Sequence, residues 1–176
     1  AVEQANYART LKITGGNGED VAAPGAFDTL TIAPITASLN KIDFSDYNGV
    51  VTGTFAVPVE SDGATLRNDW ISNTTIVVNE FAFDWDVAGS RPGATEVINT
   101  FEFAKSAYVD NAGNVDTWVI RSFQERGTGT GSNLDVLDMR QLGITGLSDI
   151  TIAQVGADTE ITSLVDGVDF KIELVG

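Results

Sequence analysis

Apolar and polar side chains alternate with a period of two along most of this chain, which predicts strands with one face in a core. The clearest stretch runs from Thr75 to Val87. Val77, Phe81, Phe83, Trp85 and Val87 fall on one side, interrupted by Asn79, and Glu80, Asp84 and Asp86 fall on the other. Thr95 to Val109 repeats the pattern with Val97, Phe101, Phe103, Ala107 and Val109. The turn formers Asp110-Asn111-Ala112-Gly113-Asn114 separate it from Val115 to Gln124, which predicts an antiparallel hairpin. Shorter strands are expected at Tyr7–Thr14, Leu30–Ile35, Lys41–Phe44, Gly49–Val59, Ile150–Val155, Glu160–Leu164 and Val168–Val175. A single helical turn is expected near Leu134–Leu142.

Many short strands with glycine-rich turns indicate an all-β fold, an antiparallel β-sandwich or jelly roll with a small C-terminal β-unit. The run Glu125-Arg126-Gly127-Thr128-Gly129-Thr130-Gly131-Ser132 reads as a loop or linker. It divides a main sandwich (1–124) from a C-terminal β-meander (133–176), with 125–132 between them. A single continuous domain fits the pattern equally well.

Composition narrows the chemistry. The 176 residues include no histidine and no cysteine, and 25 acidic residues against 10 basic ones give a net charge of −15. Without imidazole or thiol, Ser-His-Asp and Cys-His triads, zinc hydrolases and iron–sulfur sites are excluded. The acidity argues against nucleic acid and anionic membranes as partners. No apolar run is long enough for a transmembrane helix, so no membrane insertion is expected. Ala1-Val2-Glu3-Gln4-Ala5 lacks the basic and apolar runs of a signal peptide. Either one has been removed, or export by a C-terminal signal or within a viral particle is expected.

The C-terminal segment carries Leu134-Asp135-Val136-Leu137-Asp138-Met139-Arg140-Gln141-Leu142-Gly143-Ile144, then Ser148-Asp149-Ile150-Thr151-Ile152 and Gly156-Ala157-Asp158-Thr159-Glu160-Ile161. It closes on Ile172-Glu173-Leu174-Val175-Gly176. This segment resembles the cap that follows the calcium-binding β-roll of RTX-type secreted bacterial proteins. The resemblance covers about a quarter of the chain and implies an extracellular bacterial location. Only Gly15-Gly16-Asn17-Gly18-Glu19-Asp20 resembles the nonapeptide repeat of such rolls. One copy cannot stack into a roll, so none is expected.

Three clusters are candidates for binding or chemistry. Asp110, Asn111, Asn114 and Asp116 concentrate oxygen ligands in one turn and make calcium the candidate cofactor, with Asp158–Asp166 and Asp169 as a second stretch. Trp70, after Arg67-Asn68-Asp69, is the candidate carbohydrate-stacking residue; Trp85 reads as core, and Trp118 is ambiguous. Glu80, Asp84 and Asp86 share a strand face, and neighbours on such a face lie about 6.8 Å apart at Cα, as a paired-carboxylate glycan-active enzyme needs.

These readings favour a non-catalytic, self-assembling structural protein of an extracellular surface or particle. A virion decoration protein, an S-layer subunit or a filament subunit would suit, stabilised by calcium and partnered by its own copies or other structural subunits. The alternatives are a calcium-dependent adhesion or carbohydrate-binding module, with a glycan as partner, and a glycan-active enzyme.

Overall fold

The structure, a computed structural model, describes residues 10–18, 26–34, 39–55, 74–87, 98–123 and 135–176. Its strands are β1 (Thr10–Gly15), β2 (Thr29–Thr31), β3 (Lys41–Tyr47), β4 (Val50–Thr54), β5 (Thr75–Val78), β6 (Phe83–Asp86), β7 (Thr100–Phe103), β8 (Thr117–Arg121) and β9 (Val136–Asp138). Two 3-10 turns, Arg140–Leu142 and Leu147–Asp149, lead to β10 (Ile150–Val155), β11 (Asp158–Ser163) and β12 (Lys171–Val175). The chain is β-rich; the stretch near Leu134–Leu142, where a helical turn is expected, instead holds strand β9 followed by the first 3-10 segment.

The strands form two sheets. One has the order β1-β3-β5-β7-β9 and the other β10-β11-β12-β8-β6-β4-β2. Through β9 the chain changes sheet at every strand, so each odd–even pair is one rung of a coil. Every ladder within the five-stranded sheet is parallel. So are the ladders joining β2, β4, β6, β8 and β12, and only β10–β11 and β11–β12 are antiparallel. Aromatic contacts such as Phe44 with Phe83 and Phe103 with Trp118 join the sheets face to face around one core.

This corrects the expectation of antiparallel pairing. Periodicity reveals which side chains point inward and is silent on which strand lies alongside. The hairpin expected between 95–109 and 115–124 survives as a single antiparallel bridge, Val109 to Val115. β7 belongs to one sheet and β8 to the other. The stretch from Thr75 to Val87 is likewise two strands. Ile76 and Val78 point into the core from β5, Phe83 and Trp85 from β6, and Val77 is buried outside that cluster. A coil therefore forms, built on apolar rungs rather than on nonapeptide repeats.

Parallel in-register pairing stacks like on like. In the five-stranded sheet Leu11, Ile42, Ile76, Phe101 and Leu137 form one column. In the other sheet the column is Leu30, Val51, Phe83, Trp118, Ile172, Ile161 and Ile152. Its members from Val51 to Ile161 are buried. Beside it Gly53 pairs with Trp85, and a Cβ at Gly53 would lie 2.4 Å from the indole ring. The missing side chain gives Trp85 its space.

The corners are held by polar side chains. Asn79, fully buried between β5 and β6, donates its amide to the carbonyls of Tyr47 (3.1 Å) and Gly49 (2.6 Å) in the corner of the neighbouring rung. At the opposite corner Asn40, Thr74, Asn99 and Asp135 each precede a strand of the five-stranded sheet. The Thr74 hydroxyl donates to the Leu39 carbonyl at 2.7 Å, and the Asn99 amide to Asp135 at 3.0 Å. Buried backbone carbonyls need such donors wherever the ladder stops.

The C-terminal segment continues both sheets, β9 beside β7 and β12 beside β8. The expected linker at 125–132 lies outside the described residues.

Two substitutions test this packing. Gly53→Ala should destabilise the protein by about 1–3 kcal/mol through overpacking against Trp85. Asn79→Ala should cost about 1–3 kcal/mol by leaving the Tyr47 and Gly49 carbonyls without their donor. Denaturant midpoints at unchanged m-value measure both.

Candidate functional site

The Asp110 turn is closed by its own hydrogen bonds. Asp110 Oδ1 accepts from the amides of Ala112 (2.8 Å) and Asn114 (2.7 Å), and Oδ2 accepts from the Asn114 side-chain amide (2.8 Å). The Asn114 side chain first, and then these amides, hold the Asp110 carboxyl below the ordinary aspartate range. Positive ends of N–H dipoles therefore already surround the carboxylate. Asn111 is exposed in the turn, and Asp116 leads into β8, its amide donating to the Tyr108 carbonyl at 2.9 Å. Calcium at this turn would draw on the lone pairs that remain and on oxygens from elsewhere. Among the described residues, no group of three or more carboxylates converges as a metal site.

The fold unites the two oxygen-rich stretches that are remote in sequence. Asn114, Val115 and Thr117 line an open groove of about 460 Å³ together with Thr162, Ser163, Asp169, Phe170 and Lys171. The Ala107 amide donates to the Asp169 carbonyl at 2.8 Å and ties the two walls together. No local spacing in the sequence signals this meeting, which arises because β12 lies beside β8.

The acidic trio is split by the coil. Glu80 sits at the corner before β6 and pairs with Lys105 at 3.7 Å. Asp84 and Asp86 lie on β6, where both oxygens of Asp84 receive the Arg121 guanidinium at 2.7 Å. Asp84 thus takes Arg121 in a bidentate pair. Nearby, Lys171 pairs with Glu160 at 2.6 Å.

Trp85 and Trp118 are both fully buried, and the Trp118 indole donates to the Phe81 carbonyl at 3.0 Å. Trp70 lies outside the described residues.

The sheet edges differ sharply from one another. β1 carries a register irregularity between Lys12 and Thr14 and a Lys12–Asp46 ion pair at 2.6 Å. β2 and β9 are three residues long, and β9 ends at Asp138, bound by Arg140. β10 is six residues long, regular, and free of charge and proline. Every residue after Ile150 in it is exposed, with Ile152 at 54% and Val155 at 55%, and Leu147 and Leu164 are exposed beside it. The pattern of the sequence marks Ile150–Val155 as a strand. It does not mark it as an edge.

Comparison with family models, with curated proteins and with solved structures finds no match for this chain. No helix among the described residues is long and apolar enough to cross a membrane.

Asp149, just before β10, offers a pH test. Its Oδ2 accepts from the Thr145 amide (2.7 Å), the Thr145 hydroxyl (2.9 Å) and the Gly146 amide (3.1 Å). The Thr145 amide leads these bonds in holding its carboxyl below the usual aspartate value. A depressed carboxyl contributes stability that is present above the unfolded-state pKa of about 3.9 and is lost as pH falls through the folded value. The stability gap between the native chain and Asp149→Asn should therefore be widest near neutrality and close below about pH 3.9. Paired denaturation curves across pH measure it.

Proposed function

We propose that this chain is a non-catalytic structural protein that assembles with copies of itself on an extracellular surface or particle. The observation that carries the reading is the coil itself. It is a stack of mostly parallel strands whose sheets, among the described residues, end in edge strands, one of them long, uncharged and exposed. Unpaired strands of that kind bind by adding another strand. The carboxylates described above serve ion pairs and turns, as suits a scaffold. A virion decoration protein, an S-layer subunit or a filament subunit would each use such a rod.

The likeness of 134–176 to a roll cap supports the extracellular location. Residues 135–176 hold β9, the β10–β11 hairpin and β12, at the C-terminal end of both sheets. Calcium enters this reading through charge. At −15, copies repel one another, and divalent cations or salt would ease their approach.

Light scattering on the purified protein over a range of concentrations, with calcium and then with chelator, tests the proposal. The expected result is a species larger than the monomer that grows with concentration and is favoured by calcium or salt. A monomer of constant size in every condition would overturn it.

A further inference from the structure

We propose that β10 is the self-association edge, and that a second copy pairs with it antiparallel about a two-fold axis at Ile152. This inference rests on the self-assembly reading and names the contact.

The backbone narrows the register, and the side chains choose it. The Leu164 amide donates to the Asp149 carbonyl at 2.8 Å, so odd-numbered residues of this strand direct their backbone groups toward β11. Those of Ile150, Ile152 and Gln154 point to the open side. The Ile150 amide is taken by the Leu147 carbonyl, leaving its carbonyl to accept. An antiparallel copy centred on Ile152 sets Ile152 against itself and Gln154 against Ile150. The pairing yields about four interchain hydrogen bonds, two at the axis and one at each end. Shifting the register so that Ile152 faces Ile150 halves these bonds, and the opposite shift, which keeps four, sets Ile152 against Gln154 and breaks the apolar column.

The side chains agree with the backbone. The apolar column from Leu30 runs across the whole seven-stranded sheet and ends at the half-exposed Ile152. On a two-fold axis the next member is the partner's own column. The two sheets then become one, with Ile152 covered. Charge permits a like-charged partner here, because β10 has no ionisable side chain and the neighbouring Asp149 is engaged in its cap. The other edges are short, irregular or charged, the usual devices against strand addition. β10 has none of them.

Sedimentation equilibrium of the full chain and three variants tests the proposal, with circular dichroism to show that each is folded. Ile152→Lys places two ammonium groups opposite each other and should weaken association about tenfold or more. Val136→Lys, at the free edge of β9, should leave it unchanged. Because the chain has no cysteine, Ile152→Cys should give a disulfide-linked dimer under mild oxidation, across a Cα separation of about 5.5 Å. Val155→Cys, equally exposed, should cross-link about tenfold more slowly. Association that is insensitive to Ile152→Lys, or lost in Val136→Lys, would overturn this contact and leave self-assembly standing. A monomer at every concentration would overturn both.

Discussion

Parallel, in-register pairing is the constraint on which this molecule depends. It places each inward side chain directly beside its counterpart in the next rung, so a column is stable only if nearly all of its members are apolar. Val51, Phe83, Trp118 and Ile172 meet that demand in succession. Size must also match along the rungs, which explains a glycine beside Trp85. The corners carry the complementary demand. Where a strand ends its carbonyls still need donors, and buried asparagine and threonine side chains supply them.

That arrangement was legible in part. Alternation marks most strand positions, Ile150–Val155 among them, but it misses β9, where a helical turn is expected, and the break between β5 and β6. Pairing was not legible, because inward-facing residues look alike whether their neighbour runs parallel or antiparallel. Rungs begin at Thr10, Lys41, Thr75, Thr100 and Val136, at uneven intervals, so no repeat showed the coil. The one local clue was Asn79, which broke the apolar face of its supposed strand and in fact marks a corner. A polar residue before each of β3, β5, β7 and β9 was a second signal. Of the candidate site, the Asp110 turn was visible as a turn, whereas its approach to Asp169 required the order of β8 and β12.

Charge and architecture are separable here. The acidic residues lie mainly outside the apolar columns; Asp110 and Asp149 are held by turn donors, and others are matched by a cation. Glu80 pairs with Lys105, Asp84 with Arg121, Asp138 with Arg140 and Glu160 with Lys171. Exposed pairs of this kind add little to stability. They do orient side chains, and they leave the chain's net charge at −15.

The hairpin of β10 and β11 lies within the final rung, between β9 and β12, yet β12 still pairs with β8 in perfect sequence from Lys171 to Val175. The hairpin, inserted between β9 and β12 in sequence, extends the sheet beyond β12 and leaves the layers beneath undisturbed. A strand pair that enters this way adds to the end of the stack while the interior pairing is kept, which makes that end a natural position for grafting further strands onto a fixed frame.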